Sequence, residues 1–170
     1  DKELLRSALT HASGALHRLA SNERLEFLGD AILGLVVCEI LYRQYPEYLE
    51  GDLTKIKSVV VSRQTCAKIS LILGLDEFLI LGKGMTTHPH IPRSLMSDVF
   101  ESLVAAIYLD GGDAPAREFI HRYVAPEIEL EILTTSNPAF SAWRFSVSSE
   151  KSTRCCGACH WFQRSPQTRR

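Results

Sequence analysis

The chain has 170 residues, 45% of them hydrophobic, and a net charge of −1, which suits one globular domain with a sizeable core and excludes a second full domain. Its longest apolar run falls well short of the roughly 18 residues that a membrane span requires, and no signal-peptide pattern opens it; the expectation is a soluble, cytoplasmic protein without a membrane partner, whose start at Asp1 points to a native N-terminus further upstream. The charge is unevenly spread, with 13 Lys/Arg against 19 Asp/Glu in residues 1–143 and 6 against 1 in residues 144–170. An acidic body excludes nucleic-acid binding by bulk charge alone, yet it is what a carboxylate metal site would produce.

In chain order, Leu4, Leu5, Ala8 and Leu9 give a short amphipathic helix, followed by a polar stretch from His11 to Ser21. Asn22 reads as the N-cap of a long second helix, apolar on nearly every side and so expected to be buried, which Tyr45-Pro46 stops. Glu50-Gly51-Asp52 reads as a turn, after which Leu53, Ile56, Val59 and Val60 resume helical spacing. Ser62 caps a further helix that Gly74 ends, and residues 82–93 form a loop whose Lys83, His88 and His90 need be no more than solvated groups. Ser97 reads as the cap of a helix over 98–109, ended by Gly111-Gly112, and Asp113 as the cap of a last one with Pro115 in its first turn. The body is therefore expected to be all-α, with six or seven helices over residues 1–133. Residues 134–170 shift to Ser, Thr, Arg, Pro and Cys, lose periodicity, and read as a basic, disordered tail. Cys38 and Cys66 lie in apolar helical contexts and are expected to be buried free thiols.

The chemistry lies in the acids. Glu23, Glu26 and Asp30 stand at i, i+3 and i+7, within about 60° around a helix axis, and so share one face. They lead into a stretch, Ala31 to Leu41, whose one charged residue is Glu39. Asp98 and Glu101 repeat the design, spaced i, i+3 and followed by the apolar segment Leu103 to Leu109. Acids at a helix start can simply complement its dipole. That accounts for any one of them but not for acids repeated toward the apolar side of two helices. If the two helices pack together, Glu26, Asp30, Asp98 and Glu101 form an all-oxygen cluster, and hard oxygen ligands select Mg²⁺ or Mn²⁺ over zinc or copper. Such sites complete their coordination with substrate phosphates, which points to phosphoryl chemistry.

These residues also resemble a known family. Asn22 to Ala31 is similar to the signature of the ribonuclease III endonuclease domain, and Leu5-Arg6-Ser7-Ala8-Leu9-Thr10-His11 to the block that precedes it there. The resemblance continues through Pro46 to Ser58, with Glu50-Gly51-Asp52, and through Ser97-Asp98-Val99-Phe100-Glu101 to Asp110-Gly111-Gly112, covering roughly residues 3–132. It implies a dimeric all-α domain of bacterial type that cleaves double-stranded RNA with Mg²⁺, or Mn²⁺ in its place, leaving 5′-phosphate and 3′-hydroxyl ends, in ribosomal or other RNA processing. Carried over by position, Glu26, Asp30, Asp98 and Glu101 are its metal ligands, with Asp30 and Glu101 also assigned to catalysis. Glu23 and Glu50 are supporting acids near the site. Phe27 is the aromatic that plugs into the partner of a homodimer, although spacing alone fits a core residue equally well.

Several readings compete. Lys55, Lys57, Arg63 and Lys68 could meet RNA phosphates or simply form a solvated face, and His11 fits a structural role. Residues 134–170 are too few for a double-stranded RNA-binding domain, so RNA affinity should be weak and salt-dependent. Cys156-Gly157-Ala158-Cys159-His160 fits the short haem-attachment pattern and, with Cys155, supplies zinc ligand types, but exposed thiols are the simpler reading. A di-iron bundle wants two Glu-x-x-His motifs, and only Glu118-Phe119-Ile120-His121 qualifies. A non-catalytic RNA-binding or assembly module of the same fold remains the alternative, against which six intact acids argue.

Overall fold

A computed structural model describes residues 1–85 and 91–135. His88, His90, the basic tail and its Cys-rich motif lie outside the described residues. Six α-helices make up the body: α1 (Lys2–Ala8), α2 (Glu23–Gln44), α3 (Glu50–Val60), α4 (Arg63–Ile72), α5 (Arg93–Gly111) and α6 (Asp113–Thr135), with 3₁₀ turns at Arg18–Ala20 and Leu75–Glu77. No strand occurs among the described residues; a single bridge joins Thr10 to Ile80. The all-α expectation holds, and α6 runs past the boundary placed at residue 133.

The core forms around α5, which packs against α1, α2, α4 and α6. Phe100 and Val104 of α5 are fully buried against Leu33, Val36, Val37 and Ile40 of α2, and Ile120, Val124, Ile128 and Ile132 of α6 close the cluster at i, i+4 spacing. That spacing puts one stripe of α6 inward, as a 3.6-residue period requires. A second cluster joins Ala67 of α4 to Met96 and Val99 of α5. No described helix is long and apolar enough to cross a membrane.

Several local expectations change. Asn22 precedes α2 as read, but its φ of −74° and ψ of −9° are already helical and its side chain makes no capping bond. It is instead buried, with its backbone N–H donating to the Thr10 carbonyl at 2.8 Å. Glu50-Gly51-Asp52 is the first turn of α3 rather than a turn before it. α5 begins at Arg93, so Ser97 lies inside the helix and caps nothing. The Ser62 cap does form, accepting from the Thr65 N–H, and Gly74 ends α4 at φ +67°, a left-handed conformation that glycine adopts without strain.

The long apolar helix α2 is also not buried all round. Leu25, Ile32, Leu33, Val36, Val37, Ile40 and Leu41 face inward, while Phe27, Leu35 and Tyr42 are exposed. Cys38 lies on the exposed side, against expectation, whereas Cys66 is buried. Apolar composition does not reveal which side of a helix lacks a covering element. Glu39, the isolated charge in this stretch, is ion-paired to Arg43 at 2.6 Å and to Arg117.

The approach of α2 to α5 is set by Gly29. A Cβ built there would lie 1.8 Å from the Glu101 carbonyl oxygen and 2.5 Å from its carbon. Both atoms are backbone, so no rotamer change relieves the overlap. Gly29→Ala should therefore force the two helices apart and destabilise the domain by about 3 kcal/mol, at the upper end of typical overpacking costs. Urea unfolding followed by circular dichroism measures this, and a variant as stable as wild type would disprove the contact.

Candidate active site

The acid pairs meet where Gly29 lets the two backbones approach. Glu26 and Asp30 flank Gly29 on α2, and Asp98 and Glu101 face them from α5. The two pairs feel one another: Asp98, Glu23 and Asp30 act on Glu26, and Asp30, Glu26 and Asp98 act on Glu101. Burial and this repulsion combine. Glu26 is pushed above the usual carboxylate range, first by burial and then by Asp98. Asp98 is raised by burial, with Arg63 and His11 opposing. Glu101 is pushed furthest, to about 7, by burial and then by Asp30, while a hydrogen bond from Ser97 works against the rise.

Below the acids lies a buried polar floor. The Ser97 hydroxyl donates to Glu101 Oε1 at 3.2 Å. The buried Cys66 thiol of α4 is pushed up to about 12, chiefly by burial and then by the Glu101 charge, with the Ser97 hydroxyl opposing the rise. Ser102 donates to the Asp98 carbonyl at 2.7 Å and lies 3.2 Å from the Asn22 carbonyl, linking the base of the site to the start of α2. The sequence reads Ser97 as a helix cap and misses it as a partner of Glu101. Its i, i+4 spacing to Glu101 was the available signal.

The other candidate residues are placed differently. Glu23 sits on the same face but is claimed by Arg18, whose Nε and Nη2 donate to its two oxygens at 2.9 and 3.0 Å; that pairing holds its carboxyl below the usual range. Glu50 does not join the quartet: it accepts from the Thr54 hydroxyl at 2.8 Å and lines a separate groove with Leu35, Cys38 and Tyr42, one to three helical turns beyond Asp30. Phe27 projects away from the core at 82% exposure, which removes the core reading. It stands at an open cleft of about 670 Å³ lined by Leu4, Leu19, Leu25, Leu28 and Leu109. Of the basic residues, Arg63 acts on Glu26 and Asp98, whereas Lys68 is engaged with Glu127 at 2.8 Å.

The donor set fits a hard divalent cation: four carboxylates, three of them made reluctant to ionise, with Arg63 and His11 the cationic or titratable groups acting on them from outside. As the side chains stand, no three metal-binding groups among the described residues converge on one point.

An all-α domain with acids from two crossing helices matches one family throughout. The sequence fits the family described as Ribonuclease-III-like over residues 1–128, and the chain belongs to the ribonuclease III family. It is 60% identical over 134 residues to Ribonuclease 3 of Rhodopirellula baltica, covering 79% of this chain and 50% of that protein. It is 41% identical over 131 residues to Ribonuclease 3 of Symbiobacterium thermophilum, covering 76% and 56%. The chain thus spans about half the length of these relatives. Among solved structures, the nuclease domain of ribonuclease III from Campylobacter jejuni, described as flexible in a region involved in dimer formation, superposes with a TM-score of 0.70 at 37% identity, covering 75% of this chain and 88% of that one. Dicer from Giardia intestinalis matches with a TM-score of 0.60 at 26% identity over 73% of this chain and 16% of its own.

The raised Glu101 carboxyl has a consequence for stability. Between an ordinary value of 4.5 and about 7, the folded chain retains a proton that the unfolded chain has released. The unfolded state binds fewer protons there, so this group's contribution to stability falls as pH rises across that interval and is level above it. After solvent screening the loss is on the order of 1 kcal/mol. Thermal melts in chelator from pH 4.5 to 8 should show this decline, and Glu101→Gln should make it shallower, with Glu26 and Asp98 retaining part of it; equal slopes in the two proteins would assign the decline elsewhere.

Proposed function

We propose that the chain is the nuclease portion of a cytoplasmic endoribonuclease that cuts double-stranded RNA as a homodimer, in ribosomal or other RNA processing. The observation that carries this reading is the crossing of α2 and α5 at Gly29, which brings two acid pairs to one place with little charge compensation. In this reading Glu26, Asp30, Asp98 and Glu101 hold Mg²⁺, or Mn²⁺ in its place. Bound there, the cation would supply charge to the scissile phosphate and a more acidic water.

The chain's own residues account for the rest. Without a cation the four carboxylates repel a phosphate, so activity should vanish in chelator. Asp30 and Glu101 are assigned the catalytic roles because Asp30 is the acid that acts most strongly on Glu101, and Glu101 accepts a hydrogen bond from Ser97. Arg63, on the rim beside Glu26 and Asp98, can meet a neighbouring phosphate oxygen of the RNA. Glu23, tied to Arg18, bounds the site without competing for the cation. In-line attack forms a bond from the water oxygen to phosphorus and breaks the bond to the 3′ oxygen, which takes up a proton; the products are 5′-phosphate and 3′-hydroxyl ends.

A dimer gives one such site to each strand. Phe27 and the apolar cleft beside it are a knob and a hollow on one surface, the form that a two-fold interface between identical chains takes. Glu50, remote from its own chain's quartet, supports a site only across such an interface or not at all.

Cleavage of labelled duplex RNA at low salt tests the proposal. Activity should require Mg²⁺ and fall at least about 100-fold in Glu101→Gln and in Asp30→Asn, as when a group stabilising transition-state charge is removed. Metal-independent products, or full activity in Glu101→Gln, would sink the mechanism. By sedimentation, wild type should be dimeric at micromolar concentration and Phe27→Ala should shift toward monomer; a monomeric wild type would contradict the assembly.

A further inference from the structure

Ser97 and Cys66 occupy a place that the proposed chemistry does not use. Both are fully buried, at 0% exposure, and both lie directly under the acidic cluster. Ser97 stands one turn before Glu101 on α5, and its hydroxyl donates to Glu101 Oε1 at 3.2 Å. Cys66, on α4, acts on the same hydroxyl. A serine has one proton to give, and here the Glu101 carboxylate receives it.

This hydrogen bond acts on the residue that most needs restraint. Glu101 faces Asp30, Glu26 and Asp98, all of like charge, and repulsion alone would swing its carboxylate away from them. A donor fixed beneath it opposes that swing. Helical serines often donate to a backbone carbonyl one turn back, as Ser102 does to Asp98 at 2.7 Å on the same helix. Ser97 gives its proton to a side chain instead, in a position with no solvent to share it.

We propose that Ser97 is a positioning residue that holds the Glu101 carboxylate toward the acidic cluster and thereby sets the cluster's affinity for a divalent cation. The inference rests on the reading that the cluster binds such a cation. Partners of this kind behind metal ligands typically change affinity by about 10- to 100-fold.

Mn²⁺ binding to the full chain, followed by electron paramagnetic resonance without RNA, tests it in wild type, Ser97→Ala, Ser97→Thr and Glu101→Gln, with a thermal melt of each in chelator to establish folding. Ser97→Ala removes one oxygen and keeps the packing volume, so it should melt cooperatively yet bind Mn²⁺ about 10-fold more weakly. Ser97→Thr, which restores the hydroxyl, should recover most of the loss. A merely structural serine would lower the melting temperature and leave the affinity of the folded protein unchanged. If Glu101→Gln loses Mn²⁺ and folded Ser97→Ala binds as wild type does, or folded Ser97→Thr stays as weak as Ser97→Ala, the positioning role is overturned and the cation site stands. If Glu101→Gln binds Mn²⁺ as tightly as wild type, the cation site itself fails, and the inference with it.

Discussion

The rest of the structure depends on one backbone contact, the seating of Gly29 of α2 against the Glu101 carbonyl of α5. Helix axes usually stay 8–10 Å apart because side chains stand between them. Here a missing side chain permits a nearer approach, and that nearness serves two ends. It lets Phe100 and Val104 sink among Leu33, Val36 and Val37, where they exclude water on the inner side. On the outer side it brings acids from both helices together, an arrangement that costs free energy. The apolar packing on one side of the contact offsets the repulsion on the other, so core and site cannot be separated.

The site is marked less by its negative charge than by how little of that charge is compensated. Several acids elsewhere on the surface have close partners. Glu39 has Arg43 and Arg117, Glu23 has Arg18, Glu127 has Lys68, and Asp113 has Arg117 at 2.6 Å. Such exposed pairs add little stability individually, but they show that this sequence places cations beside acids readily. Around Glu26, Asp98 and Glu101 that habit lapses: Arg63 and His11 act from the rim, and burial raises all three carboxyls. A cluster that merely complemented helix dipoles would not be driven toward neutrality in this way.

Periodicity carries some of this and is blind to the rest. The spacing of Glu26 with Asp30 and of Asp98 with Glu101 placed each pair on one helix face, and the apolar segments that follow each pair suggested that the helices pack together; the fold joins them. Ser62 and Gly74 were legible because a cap and a left-handed glycine depend on the nearest few residues. Ser97 was not, because the residue types that cap helices also serve buried polar positions, and its hydroxyl goes to the Glu101 side chain; Asn22 was legible in its place before α2 but not in its lack of a side-chain capping bond. Cys38 and Phe27 failed as core candidates for a related reason. An apolar residue on a long helix is buried only if another element covers its side, and which side is left uncovered is a property of the whole fold.

That uncovered side gives α2 its unusual demands. About 33 Å long at 1.5 Å per residue, the helix must satisfy three neighbours at once. Its inner face fills the core, a second face carries Glu26 and Asp30 against α5, and a third presents Phe27, Leu35 and Tyr42 outward. Phe27 follows Glu26 directly and precedes Asp30 by three residues, so the exposed aromatic and the acids hang from the same turn of backbone. Any contact that holds Phe27 from outside restrains that turn, and with it the two carboxylates that α2 contributes. On the proposed reading, assembly through Phe27 and formation of the site would be coupled through a single rigid helix, without the need for a moving part between them.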